Sequence, residues 1–281
     1  LARMSSAAGT TIADLVAHTL DGLAIEPLYT AYDRPAADLF VDQRRPTPSE
    51  GLAWDIRVAT SSADPAAANA ALLADLAGGA SSVTLNLAAP GLSGLPTRYE
   101  AVARVLAGVD LAVAPVHLCA GDQYLGAAQC LSALWDAAGV AGARCRGGID
   151  ADPLGTLART GALEESVPAA LAVLAHFAGQ NIAAWPNVTL VLADGRPYHE
   201  AGASQAQELA AILATFVTYL RGLDEEGVAP ETAIPSFHVA LAADCDFLMS
   251  IAKLRAARRL IARVCGACGG ARVAAHVALS V

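Results

Sequence analysis

At 281 residues, 55% of them hydrophobic, the chain holds enough apolar material for one large domain or two small ones. A formal charge of −9 and the lack of any basic stripe exclude nucleic acid as a partner. No stretch reaches the roughly 18 uncharged apolar residues of a membrane span, and residues 1–10 lack the basic and apolar parts of a signal peptide, so a cytoplasmic protein is expected.

Charged residues make up 16% and aromatic residues 5%, so the core must be built from Ala, Leu and Val. A weakly charged, Ala-rich surface suits a subunit of an assembly, although a GC-rich genome also enriches Ala and Gly. Residues 1–65 carry Pro27, Pro35, Pro46 and Pro48, the charged stretch Asp42-Gln43-Arg44-Arg45, and one short helical pattern near Thr11–Leu20. This reads as an extended N-terminal arm that borrows surface from a barrel or from another subunit.

From residue 66 onward, short apolar runs alternate with helical stretches. The runs are Ser82–Leu87, Leu111–His117, Arg144–Asp150, Val188–Leu192, Ile234–Leu241 and Arg272–Ser280. The helical stretches are Ala66–Ala77, Thr97–Ala107, Tyr124–Ala138, Glu164–Phe177, Ser204–Leu223 and Asp246–Val264. Pro65 and Gly78-Gly79 bracket the first of these, and Thr97 with Glu100 predicts a capping box on the second. The last helix is expected to bury Phe247, Ile251, Leu254, Ile261 and Val264 and to turn Lys253, Arg255, Arg258, Arg259 and Arg263 outward. The alternation predicts an α/β fold: a TIM (β/α)8-type barrel over 66–281, truncated to about six β/α units. Eight units close such a barrel, so an open edge is expected after Ser280, and the chain reads as part of a larger protein.

Six cysteines at irregular spacing in a long chain do not make a disulfide framework. Cys265-Gly-Ala-Cys268 has the spacing of half a zinc site or a redox pair, but no second pair joins it, so a packing role is expected. In a barrel of this kind chemistry sits at the C-terminal strand ends, here Asn86, His117, Asp150, Asp194 to His199, and Asp244 to Asp246. His117 is an acid–base candidate or a packed rim residue. Tyr198, His199 and Glu200 offer acid–base chemistry, or Glu200 braces a helix start. No Walker motif, HExxH or nucleophile elbow is present.

Asp194-Gly-Arg-Pro-Tyr-His-Glu-Ala-Gly-Ala-Ser-Gln-Ala-Gln-Glu-Leu209 and Phe247-Leu-Met-Ser-Ile-Ala-Lys-Leu-Arg-Ala-Ala-Arg-Arg-Leu260 resemble the adenosylcobalamin-dependent methylmalonyl-CoA mutase family. Gly22-Leu-Ala-Ile-Glu-Pro-Leu-Tyr-Thr30 and Trp54-Asp-Ile-Arg57 match its opening segments. The resemblance implies a CoA-threaded barrel, an arm that wraps a partner subunit, and a cobalamin domain beyond residue 281. Departures from the pattern of catalytic members are equally clear. The segment that carries a substrate-contacting aromatic and arginine is replaced by Phe40–Ser49. The family's Gln after Trp-x-x-Arg is Val58, its catalytic Tyr and His fall on Arg196 and Pro197, and its Gln at the thioester is Asp150. The resemblance therefore implies the small, non-catalytic subunit of a heterodimeric methylmalonyl-CoA mutase. Its partner would be a large catalytic subunit, with acyl-CoA in the complex. It implies no catalytic, cofactor-binding or metal residues in this chain, Arg196, Pro197 and Asp150 being degenerate positions. Adenosylcobalamin would serve the holoenzyme, with none bound by this segment. An active acyl-CoA mutase of altered substrate range and an accessory protein handling CoA or cobalamin are the alternatives.

Overall fold

The computed structural model describes residues 11, 13–33, 54–60 and 62–281. Pro35, the Asp42–Arg45 stretch and the Phe40–Ser49 segment lie outside the described residues. A two-residue hairpin comes first, β1 (Ala17–His18) against β2 (Ala24–Ile25). Seven parallel strands then make one curled, open sheet: β3 (Arg57–Ala59), β4 (Ser82–Asn86), β5 (Val116–Cys119), β6 (Gly147–Ala151), β7 (Val188–Asp194), β8 (Phe237–Ala240) and β9 (Ala278–Ser280). Their order in the sheet is their order in the chain, the topology of successive β/α units.

All six apolar runs contribute a strand, and the sheet has one more than the six expected. The extra strand, β3, lies inside the stretch read as arm and pairs with β4 in the register Arg57↔Ser82. Three residues, two half-buried and one exposed, are too few to show a period of two. Strand starts were also read too early. Leu111–Ala114 forms a turn in which the Asp110 carboxylate accepts the Ala112 N–H. Ile234–Ser236 and Ala271–His276 are 3₁₀ turns leading into β8 and β9.

Helices cover the outer face: α1 (Pro65–Ala77), α2 (Tyr99–Val105), α3 (Tyr124–Ala137), α4 (Pro153–Thr160), α5 (Val167–Asn181), α6 (Arg196–Glu200), α7 (Gln205–Glu225), α8 (Pro230–Ala233) and α9 (Phe247–Ala267). The capping box foreseen on α2 does not form. Arg98 is its N-cap, and the Thr97 hydroxyl donates instead to the Ala88 carbonyl, tying down the loop after β4. A true capping box opens α7, where Ser204 and Gln207 satisfy each other's backbone N–H. Helix α4 was not anticipated, although its signals are ordinary: Asp152 as N-cap, Pro153 at the first position and Gly161 in the left-handed conformation after its end.

The apolar core lies between sheet and helices. Ile149, Leu190, Ile212, Phe216 and Phe237 are fully buried there, with the Phe216 and Phe237 rings 4.4 Å apart. The inward stripe of α9 differs from expectation. Phe247 is 71% exposed and Ile251 39%, while Ser250, Lys253, Ala257, Ile261 and Cys265 face the core. Lys253 is tolerated inside because it meets a buried carboxylate, Glu208 of α7.

The helical pattern near Thr11–Leu20 yields only one 3₁₀ turn, Ala13–Leu15, followed by β1. Asp14 accepts the Thr11 N–H at 2.7 Å and closes that turn locally, while Gly22 at φ 74° reverses the chain into β2. Asp21, at the hairpin, accepts from the Ser204 hydroxyl and the Ala206 N–H, so this hairpin docks on the N-terminus of α7.

Candidate functional site

Alternation along each strand sends one set of side chains outward to the helices and the other into the interior of the curled sheet. In β6, alternation sends Ile149 outward and Gly148 and Asp150 inward, and the pairing of β6 with β7 slips between Gly148 and Ala151. Asp150 sits at φ 51° within that irregularity, the only non-glycine residue with positive φ among the described residues. Aspartate accepts this conformation more readily than most residues, and the bulge re-aims its carboxylate.

Five side chains meet inside the sheet. His117 of β5 places Nδ1 2.7 Å from Asp150 Oδ2, and His238 of β8 places Nδ1 3.1 Å from Asp150 Oδ1. The Thr189 hydroxyl of β7 donates to Asp150 Oδ1 at 2.7 Å, and His238 Nε2 lies 2.8 Å from Ser280 Oγ of β9. The three titratable side chains are only 5–7% exposed. Burial alone would raise the Asp150 carboxyl; the two histidines outweigh it and hold it well below the usual range. Burial lowers His117 despite the pull of Asp150, which favours the neutral imidazole. At the β3 edge of the sheet, the Arg57 Nε–H donates to Ser82 Oγ at 3.3 Å, and Asp55 accepts from the Ser81 and Ser82 hydroxyls.

A second network crosses the rim. The Arg196 guanidinium holds both oxygens of Asp194 at 2.8 Å, and Arg159 of α4 reaches Oδ2 at 2.9 Å. Burial opposes the Arg196 charge, but the bidentate bond to Asp194 raises its pKa overall. Pro197 is buried at the second position of α6. Below them Asp152 accepts from the Tyr219 hydroxyl at 2.5 Å and from the Gly155 and Asp194 N–H groups. Burial is the dominant influence on Asp152 and pushes it up to about 7. Behind the rim, Lys253 Nζ meets Glu208 Oε2 at 2.5 Å with both side chains fully buried, and Glu208 Oε1 accepts the Ala242 N–H at 2.8 Å.

Of the strand-end residues foreseen, His117 and Asp150 come together inside the sheet, and Arg196 closes on Asp194. Asn86 donates to the Thr60 carbonyl, and Asp244 accepts from Gln205 and Ser250, so both brace loops. His199 turns toward Glu208 at 3.7 Å, while Glu200 is exposed at the end of the short helix α6 and braces no helix start. Cys265 is packed in the core, where burial raises its thiol to about 11, and both it and Cys268 are free thiols. His238, Thr189, Glu208 and the inward Lys253 were missed. The signal for His238 was its place one residue into a strand, the register that alternation turns inward.

The family model described as "Methylmalonyl-CoA mutase" matches residues 18–279. A Streptomyces virginiae protein named "Methylmalonyl-CoA mutase small subunit" is 44% identical over 263 residues, which is 91% of this chain and 41% of that protein. In Mycobacterium tuberculosis, a "Probable methylmalonyl-CoA mutase small subunit" is 35% identical over 279 residues, 94% of this chain and 43% of that protein. The same organism's "Probable methylmalonyl-CoA mutase large subunit" is 26% identical over 290 residues, 92% of this chain and 39% of that protein. The chain thus spans about two-fifths of the length of these relatives. With the family's segments lying on a succession of parallel β/α units, the chain belongs to the methylmalonyl-CoA mutase family.

Proposed function

We propose that this chain is the barrel part of a small, non-catalytic subunit of a heterodimeric methylmalonyl-CoA mutase, whose active site lies in a large subunit. One observation carries the reading: the charged groups at the mouth are consumed by one another. Arg196 and Arg159 are both spent on Asp194, and Asp150 is enclosed by two histidines. A mutase mouth needs free donors for an acyl-CoA carboxylate and thioester and a wedge against the corrin. Here a proline and an internal ion pair stand in those places. The greater likeness to small than to large subunits supports the same reading.

The partner is a large mutase subunit, and the arm, residues 1 to about 56, is its contact surface. Leu20 is 90% and Tyr32 98% exposed in the described part of that arm, which suits burial against another chain. Acyl-CoA and adenosylcobalamin belong to the complex. The residues present here do not fit the corrin: Arg196 is held flat against Asp194, and no Asp-x-His-x-x-Gly stretch occurs in these residues. A cytoplasmic site of action goes with this reading; among the described residues no helix is long and apolar enough to cross a membrane.

The test is reconstitution. The full-length protein and its large subunit are purified separately and together, and methylmalonyl-CoA turnover is assayed with added adenosylcobalamin. Turnover should require the large subunit and vanish when that subunit's own catalytic residues are replaced. Turnover by the full-length small subunit alone would overturn the proposal and favour an active mutase of altered range.

A further inference from the structure

The interior cluster has more organisation than a plug requires. His117, His238 and Asp150 are two imidazoles and a carboxylate on three strands, and their ligand atoms all lie within 4.8 Å of one another. Such a set suits zinc and its first-row neighbours. We propose that His117, Asp150 and His238 form a binding site for one divalent transition-metal ion, zinc by its donor set, which cross-ties β5, β6 and β8 inside the barrel.

Three independent features support it. The first is spacing. Ligands about 2.0–2.1 Å from a tetrahedral ion stand about 3.3 Å apart. The two nitrogen–oxygen separations are 2.7 and 3.1 Å and all three ligand atoms lie within 4.8 Å of one another, so side-chain movements of about an ångström let an ion in.

The second is convergence. Asp150 Oδ1, Thr189 Oγ1 and His117 Nδ1 close so tightly around Gly148 that a Cβ there would lie 2.4–2.5 Å from each, so glycine at this position is what admits the cluster. The same strand spends a bulge and a left-handed aspartate to bring the carboxylate there. Packing alone would be served by an apolar side chain without either device.

The third is the outer shell. A ligating histidine ordinarily gives its other nitrogen to an oxygen acceptor, which fixes the tautomer. His238 Nε2 faces Ser280 Oγ at 2.8 Å, and Asp150 is oriented by the Thr189 hydroxyl at 2.7 Å. For His238 this leaves Nδ1 for the ion, and His117 already turns its Nδ1 to the same carboxylate.

This proposal does not rest on the non-catalytic reading above, and its test uses no turnover. The full-length protein is stripped with chelator, free of cobalamin, then titrated with zinc or cobalt(II) and dialysed. Bound metal is counted by mass spectrometry and the cobalt form read by visible absorption. One ion per chain is expected, with nitrogen and oxygen ligands at about 2.0–2.1 Å by zinc X-ray absorption. Zinc should raise the melting temperature of the wild type and leave that of Asp150→Asn unchanged, and affinity should fall at least tenfold in that variant. Thr189→Val, which touches only the outer shell, should fold and weaken zinc severalfold. Failure of the wild type to retain zinc, sulfur ligands at about 2.3 Å, or retention unchanged in both variants would each overturn the site.

Discussion

Arg196 shows how a residue that looks misplaced against a family pattern acquires its own partner. Its fork holds both oxygens of Asp194, which is itself only 5% exposed. Asp194 keeps Arg159 and the Arg196 N–H if the side chain is removed. Arg196→Ala should therefore cost only about 1 kcal/mol in denaturant unfolding. It should leave turnover of the reconstituted complex within twofold; a large fall at unchanged stability would put catalysis in this barrel. Lys253 is the harsher case, because its loss leaves a fully buried Glu208 without a counter-charge. Lys253→Met should cost about 3–5 kcal/mol, and adding Glu208→Gln should recover much of it. Equal costs for the single and double variants would show that the pair is not coupled. These pairings mark the limit of what the residues alone disclosed. Asp194 and Arg196, both foreseen as strand-end residues, pair with each other, whereas Asp150 at a nearby strand end binds histidines instead. Strand position predicts which side chains share an interior, but only a register slip of one bulge decides which of them meet.

Among the elements, the strands were legible because apolar runs separated by helical periods survive any local irregularity. Their starts were not, since Ile234 and Leu111 are as apolar in a turn as in a strand. Strand β3 escaped because three residues carry no periodicity. Helix α9 was placed nearly to its ends, and Leu254, Ile261 and Val264 do pack on the core while Arg255, Arg259 and Arg263 stay outside; Phe247 and Ile251 were misplaced, and a buried Lys253 breaks the rule that charges face water. Strand β6 holds the most demanding backbone. Gly147 has φ 127°, and a Cβ there would fall 1.9 Å from the Val116 carbonyl oxygen across the sheet. Gly147→Ala must push β5 and β6 apart, and a loss above about 3 kcal/mol is expected by chemical denaturation. A loss below about 1 kcal/mol would mean that the strand shifts freely, against the close pairing of Val116 with Gly147.

At the scale of the whole molecule, each strand of the large sheet has for neighbours the strands just before and just after it in the chain. Parallel sheets usually form slowly, because distant stretches must find one another before any hydrogen bond rewards the search. Here the search is always with the unit just completed. Synthesis from the N-terminus delivers the units in the order in which the sheet needs them. A nascent chain held at increasing lengths on the ribosome should gain protease resistance in steps, each one β/α unit long. A single jump at full length would show that the units wait for one another. The polar interior would then be enclosed gradually while still wet, and Asp150 would meet His117 before His238 has left the exit tunnel.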